Sequence, residues 1–342
     1  MSGTSRIPIL TLMAKTLAIL LVSALLVPIC LTAAAASPRP LVLWHGLGDS
    51  YASPGMLEFA SMIKNVHPGI FIHSIYIEEE LDKDRQAGFY GNVNTQLDLV
   101  ANQLANILEL KDGFDGIGFS QGGQFLRAYV ERYNSPPVHN LLTFGSQHMG
   151  ISDIPTCRPY DFICQAARRA TKKAVYSPWA QANLVQAQYF RDPANLETYL
   201  TASSFLPSIN NEYPQNRNQT YSKNLASLNA LVLIMFTQDK TVVPKESAWF
   251  GSEVVDSFSS SQRVLRPVSS RSIIPMHLQP LYIEDWIGLR SLDEKGSVIF
   301  DTCEGEHMQI GDCWENFVRN WIGNLVEIQV NQSVPAVPVS NE

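Results

Sequence analysis

The stretch Asp115-Gly-Ile-Gly-Phe119-Ser120-Gln121-Gly122-Gly123 decides the fold. Asp115 to Phe119 reads as a short strand, and Gln121 to Tyr133 as an amphipathic helix. Between them stands Gly-x-Ser-x-Gly, Gly118 to Gly122. A nucleophile held between strand and helix needs a tight, strained turn, and glycines on either side leave room for it. The serine then projects at a helix N-terminus, where the dipole and free N–H groups favour a developing anion. A glycine-rich turn without chemistry has the same bare pattern. The strand before it and the helix after it supply the context for a nucleophile.

Outward from this turn, apolar strands alternate with helices. Pro40 to Trp44 is an apolar run ending in the turn His45-Gly-Leu-Gly-Asp49. Ile70 to Ile77 is a second strand candidate, followed by a helical pattern over Val93 to Leu110. Leu141 to Gly145 and Val298 to Phe300 are short strands, and a helix is expected from about Asp312 to Leu325. Ala230 to Phe236 is apolar throughout, as a strand covered on both faces must be. The alternation predicts an α/β class with a mostly parallel sheet and helices on both faces. Between Ser146 and Leu228 strand signals thin out, and helical segments are expected around Phe162–Ala174 and Trp179–Phe190. An insertion of that length is expected to be a helical cap, 146–228, within one domain over 37–342.

The chain has 342 residues, 45% hydrophobic and 17% charged, with a net charge of -7. The acidic balance argues against a general nucleic-acid binder. The dense basic cluster Arg168, Arg169, Lys172 and Lys173 reads as a solvated helix face. Arg6 and Lys15 precede an uncharged apolar stretch, Thr16 to Leu31, and then Ala33 to Ala36, so residues 1–36 are expected to be a signal peptide cleaved after Ala36. An uncleaved anchor is the competing reading. Against it, the apolar part is shorter than the roughly 20 residues of a spanning helix, and Pro28 interrupts it. No transmembrane anchor is then expected to remain after cleavage. Of five cysteines Cys30 leaves with the leader, and an even number in a secreted chain suggests disulfides. Local pairing gives Cys157–Cys164 and Cys303–Cys313, although the two other pairings are open. Zinc is disfavoured because neither gap has metal-binding spacing, and no metal or cofactor is expected. Asn218-Gln-Thr220 and Asn331-Gln-Ser333 are glycosylation sequons.

A serine nucleophile needs a base and an acid that orients it. Asp239 follows the apolar run Ala230–Phe236 and is the candidate acid, although a lone Asp in a turn is often only a cap. Of the seven histidines only His277 and His307 lie beyond it in the order Ser, Asp, His. His307 follows a strand directly and is the candidate base, on a loop that a Cys303–Cys313 bridge would staple. Backbone N–H groups of Leu47 and Gln121 are expected to form an oxyanion hole.

Trp44-His-Gly-Leu-Gly-Asp49, Gly118-Phe-Ser-Gln-Gly-Gly-Gln-Phe-Leu-Arg127, Asp239 with the following Val-Pro and Trp249-Phe-Gly251, and Glu304-Gly-Glu-His-Met-Gln309 together resemble the lysosomal palmitoyl-protein thioesterase family. The resemblance runs from about Pro40 to Ile322. It includes Gly145-x-Gln-His148 and Asn183-Leu-Val-Gln-Ala-Gln-Tyr189. It implies an α/β-hydrolase fold and a Ser120–Asp239–His307 triad. It also implies hydrolysis of long-chain acyl thioesters on protein cysteines through an acyl-serine intermediate. The substrates implied are S-palmitoylated proteins or peptides, with palmitoyl-CoA as a further one, and the address is a lysosome or vacuole lumen. The sequence departs from that pattern at Cys303 and Cys313 and in the tail beyond Val326. Lipases, carboxylesterases and acyl-CoA thioesterases of the same fold would carry the same triad. A non-catalytic lipid carrier on this scaffold would have no need of an intact one. A long apolar groove is expected in the cap, with Trp179, Leu184, Val185 and Phe190 as candidates. A base that must be neutral to act predicts loss of activity on strong acidification.

Overall fold

The computed structural model describes residues 37–153, 174–254 and 272–323. The leader 1–36, Cys157, Cys164, the basic cluster, Asn331 and the tail lie outside the described residues. Six strands form one parallel sheet in the order β2-β1-β3-β4-β5-β8. They are β1 (Leu41–Trp44), β2 (Ile72–Ser74), β3 (Phe114–Phe119), β4 (Val138–Phe144), β5 (Ala230–Phe236) and β8 (Val298–Cys303). A separate antiparallel pair joins β6 (Ser252–Val254) to β7 (Ser272–Ile274).

Alternate side chains along β5 reach opposite layers. Leu231 and Leu233 join one core cluster with Leu97, Val100 and Leu104 of α3 (Val93–Ala105) and Phe125 and Leu126 of α4 (Gln121–Arg132). Ala230, Val232, Ile234 and Phe236 join the other. That cluster includes Met56, Phe59 and Ile63 of α1 (Pro54–Val66) and Phe317 and Val318 of α11 (Trp314–Trp321). Every residue of β5 is buried, as its unbroken apolar run requires. This is the α/β-hydrolase arrangement: a parallel sheet covered on both faces, with a nucleophile-type turn leaving the central strand β3.

Several element bounds differ from expectation. The second strand contracts from Ile70–Ile77 to Ile72–Ser74, because an edge strand pairs only with β1. The long helix stops at Ala105, where Asn106 ends it and a 3-10 turn, Leu108–Leu110, follows. The last strand runs three residues further than expected, to Cys303, because β5 offers partners as far as Phe236. Between β4 and β5 the described residues form short helices rather than strands. These are α5 (Pro178–Asn183), α6 (Leu196–Ala202), α7 (Leu206–Ile209) and α8 (Gln219–Leu225), with a 3-10 turn at Val185–Tyr189. The expected helix over Trp179–Phe190 is therefore two pieces, broken at Leu184, whose extended backbone bridges to Tyr90. Helix α2 (Leu81–Ala87) precedes α3, while α9 (Pro280–Ile283) and α10 (Leu289–Glu294) lie between β7 and β8. Among the described residues no helix is long and apolar enough to cross a membrane.

Candidate active site

Ser120, Asp239 and His307 each follow the C-terminal end of a parallel strand, β3, β5 and β8. Parallel strands deliver their outgoing loops to one edge, so residues 187 positions apart in sequence meet there. The Ser120 hydroxyl lies 3.0 Å from His307 Nε2. On the other side of the ring, His307 Nδ1 lies 2.6 Å from Asp239 Oδ2. The second carboxylate oxygen of Asp239 accepts the N–H groups of Thr241 (2.8 Å) and Val242 (3.0 Å). One oxygen of Asp239 thus caps its turn while the other faces His307.

The serine sits at φ 51°, ψ -122°, a region that non-glycine residues rarely occupy. Close backbone packing holds it there. A methyl group on Gly122 would collide with the carbonyl oxygens of Trp44 and His45, and one on Gly118 would strike the backbone of Gly123. Gly118 lets the first turn of α4 fold back closely on β3, and Gly122 lets it press against the end of β1. That contact also brings the loop His45–Asp49 beside Ser120: a methyl on Gly46 would stand 3.3 Å from Ser120 Cβ.

His45 does not enter the triad. Its Nε2 lies 3.1 Å from Oδ2 of Asp84, a fully buried carboxylate on α2. Asp84 also accepts the N–H groups of Tyr51 (2.9 Å) and Ile77 (2.7 Å). Burial pushes the Asp84 pKa up, but the hydrogen bond from His45 and those from the backbone outweigh it and leave the pKa lowered. Asp84 therefore fixes the loop after β1 as an anion. Sequence reasoning missed it because it stands in an acidic run, Glu78 to Asp84, with nothing local to distinguish it. His277, the alternative base, is spent on Asp293 at 3.0 Å. His148 is fully buried, 3.1 Å from Thr143 Oγ1 and stacked on Phe250. Burial, with the Arg127 charge nearby, holds its pKa well below the usual histidine value.

The loop carrying His307 is tied at both ends. Cys303 closes β8, Cys313 caps α11, and a disulfide joins them. Gln238 N–H donates to Gly305 O at 2.9 Å, linking the His307 loop to the Asp239 turn. A Gln–Tyr cluster packs beneath the elbow: Tyr189 OH donates to Gln121 Oε1 at 3.2 Å, and Gln121 Nε2 donates to Gly88 O at 3.1 Å.

Ser120 and His307 open into a cavity of about 1370 Å³. Its walls include Met56, Phe59, Met62, Phe119, Val175 and Ala187, together with Leu47. Of the four groove candidates, Trp179, Leu184 and Phe190 line the cavity. Val185 does not line it; this residue packs into the main core, as its burial on the first 3-10 position dictates. Asn218 is exposed and caps α8, its side-chain oxygen accepting Thr220 N–H at 2.9 Å.

Comparisons with known proteins agree with this layout. Residues 40–307 match the family model "Palmitoyl protein thioesterase", a span that contains all three residues of the Ser–His–Asp array. The chain is 40% identical to palmitoyl-protein thioesterase 1 of Caenorhabditis elegans, over 79% of this chain and 87% of that one. It is 34% identical to palmitoyl-protein thioesterase 3 of Dictyostelium discoideum, over 88% and 97%. It is 28% identical to lysosomal thioesterase PPT2 of Bos taurus, over 77% and 79%. A match spanning the first strand to the histidine loop, joined to 40% identity over most of both chains, places this chain in the palmitoyl protein thioesterase family.

Proposed function

We propose that the chain hydrolyses long-chain fatty-acyl thioesters on protein cysteines, with Ser120 as nucleophile, His307 as general base and Asp239 as its orienting acid. The observation that carries this reading is the unbroken array from Ser120 Oγ through the His307 ring to Asp239, set at the mouth of an apolar cavity. In the first step His307 Nε2 takes the hydroxyl proton while Ser120 Oγ attacks the thioester carbonyl. Asp239 stabilises the imidazolium that results. The N–H groups of Leu47 and Gln121 receive the oxyanion, with Gln121 at the N-terminus of α4. Collapse of the tetrahedral intermediate expels the cysteine thiolate, which takes the proton back from His307. Water, deprotonated by His307, then cleaves the acyl-Ser120 ester and releases the fatty acid.

The acyl chain supplies the affinity. At roughly 0.8 kcal/mol per buried CH₂, a sixteen-carbon tail in the apolar cavity provides most of the binding energy. In this reading the segment 146–228 is a cap on a single domain 37–342. Residues 1–36 direct the chain to the secretory pathway, and Asn218 accepts a glycan. The bovine relative named a lysosomal thioesterase supports a lysosomal address.

The test uses an S-palmitoyl-cysteine peptide beside the matching oxygen ester on serine, a triglyceride and palmitoyl-CoA, each with a Ser120→Ala control. Preferential, Ser120-dependent release of palmitate from the thioester peptide is expected. Preference for the oxygen ester or the triglyceride would make the protein a lipase-like member of the same fold.

A further inference from the structure

The loop that carries His307 is held unevenly. Its first half is bonded to the turn that carries Asp239. Thr237 N–H donates to Cys303 O at 3.0 Å and Gln238 N–H to Gly305 O at 2.9 Å. Thr237 Oγ1 donates to Glu304 Oε2 at 2.8 Å, and Lys240 Nζ to Glu306 Oε1 at 3.1 Å. Beyond His307, hydrogen bonds among the described residues are local: Gln309 N–H to Glu306 O, Ile310 N–H to Met308 O and Cys313 N–H to Ile310 O. Apolar packing of Met308 and Ile310 on the core adds contact without direction. The covalent bridge does what those bonds do not. It sets the end of β8 and the start of α11 at 5.7 Å between Cα atoms, across a separation of 10 residues. Closing the loop over that span takes three left-handed residues, Gly305, Met308 and Gly311. Two are glycines. Met308, directly after the base, has a side chain and sits at φ 64°, a conformation that persists only where its surroundings impose it.

We infer that the Cys303–Cys313 bridge positions His307, so that a dithiol which opens the bridge slows the reaction at Ser120 while the fold stands. The inference rests on the reading of His307 as the base. Cys303 is 1% exposed and Cys313 only half-buried, so an incoming thiolate reaches Cys313 Sγ. It forms a mixed disulfide there and expels the Cys303 thiolate, which takes a proton. The second thiol of the reductant then displaces Cys313 and leaves as a cyclic disulfide. The protein gains two electrons and two protons, and the dithiol loses them. With the bridge open, the end of β8 and the start of α11 separate. Met308 relaxes to negative φ and carries the His307 ring out of line with Ser120 Oγ. The Asp239 turn stays in place, because its bonds to residues 303–306 do not pass through the bridge.

The test follows covalent labelling of Ser120 by a fluorophosphonate, which needs the base but neither an acyl chain nor a thioester. Hydrolysis of a short-chain S-acyl peptide is measured beside it, and far-UV circular dichroism reports the fold. The protein is reduced with dithiothreitol, alkylated and freed of reductant before assay. Labelling and kcat are expected to fall by about 100-fold, as for a misplacement of roughly 1 Å, with KM within about threefold of the parent. The loss should rise in step with alkylation of Cys303 and Cys313, read by mass spectrometry. Reoxidation of unalkylated protein should restore the rate. The Cys303→Ser/Cys313→Ser variant should be as slow without reductant and indifferent to it. The inference is overturned if protein alkylated at Cys303 and Cys313 labels at the parent rate, or if the double variant keeps kcat within about twofold. It is overturned equally if the loss tracks alkylation of Cys157 or Cys164, or if the far-UV signal collapses with the rate, which would make the bridge a staple of the whole fold. Reductant-sensitive labelling without thioester hydrolysis removes the thioesterase reading and keeps the positioning role; hydrolysis indifferent to the bridge does the reverse.

Discussion

The two ends of β3 carry similar groups put to opposite uses. At the C-terminal end, Ser120, His307 and Asp239 form a part-buried array that opens on a cavity. At the N-terminal end, Asp115 is fully buried, and each of its oxygens accepts a backbone N–H. Its Oδ1 takes Asn140 N–H at 3.2 Å and lies 3.6 Å from Arg39, and its Oδ2 takes Gly323 N–H at 2.9 Å. Asp239 also has two backbone donors on one oxygen, but its other oxygen holds a histidine whose far nitrogen reaches Ser120. A buried carboxylate whose partners are all structural pins the fold, whereas one whose chain of bonds ends on a group facing open space is placed to take part in a reaction.

The largest effect separates the two acids directly. Asp239→Asn keeps the shape but reverses the donor–acceptor match at His307 Nδ1, favouring the wrong tautomer. By analogy with serine proteases we expect kcat to fall by about 10⁴-fold with KM little changed. Stopped-flow or steady-state hydrolysis of an S-palmitoyl peptide measures it. A loss below tenfold would reduce Asp239 to the turn cap it also is. Asp115→Asn should leave kcat within about twofold of the parent.

The next effect concerns how the reactive end is held. Gly122→Ala must push α4 away from the carbonyl oxygens of Trp44 and His45. That shift displaces Ser120 and the N–H of Gln121 together. Misplacement on the order of 1 Å predicts about a 100-fold loss of kcat/KM. Circular dichroism should still report the fold. Wild-type activity in this variant would mean that the elbow tolerates a side chain there, contrary to the packing.

The structural end answers to pH rather than to substrate. Burial raises the Asp115 pKa to about 7, against the opposing pull of Arg39 and the backbone donors. Its folded value therefore exceeds its unfolded one. The stability it contributes is full below the unfolded value and is lost as pH rises through about 7. Relative to Asp115→Asn, the parent should lose on the order of 1 kcal/mol of stability per pH unit between about 4 and 7. Denaturant melts of both proteins at pH 5, 6 and 7 measure that slope. A difference that does not change with pH would mean that Asp115 is ionised throughout.

Much of this was legible in the sequence. Ala230–Phe236 is a strand over its expected length, and Ser120, Asp239 and His307 meet as the order of strands requires. The illegible parts share a cause. Asp84 matters through Tyr51, Ile77 and His45, contacts that no local pattern encodes. The β6–β7 pair has three residues on each side, too few to show an alternation. Helix α1 has no counterpart among the expected elements, although Ser53 caps it, Pro54 opens it and Met56, Phe59 and Ile63 recur at helical spacing. Its signal is local and readable. The segment from Ala174 to Leu228 is less readable, because side-chain bonds hold its short helices, from Ser204 N–H to Gln181 Oε1 at 2.9 Å within it and from Val93 N–H of α3 to Gln188 Oε1 at 2.9 Å outside it. Periodicity carries no trace of those.

The smallest predicted effect lies where that segment meets the reactive end. Tyr189 OH donates to Gln121 Oε1, and Gln121 Nε2 in turn donates to Gly88 O. Tyr189 is buried, so Tyr189→Phe leaves a buried amide oxygen without its donor and costs roughly 1–3 kcal/mol of stability. The backbone of Gln121 is fixed independently, by its place on the first turn of α4 and by the close approach at Gly122. The reaction should therefore feel the change weakly, with kcat within about threefold of the parent, while the melting temperature drops by a few degrees. If kcat instead falls as far as in Gly122→Ala, the polar cluster beneath the elbow, and not only backbone packing, sets the position of the oxyanion N–H. The division between a backbone-built site and a side-chain-tethered segment would then have to be redrawn at Gln121.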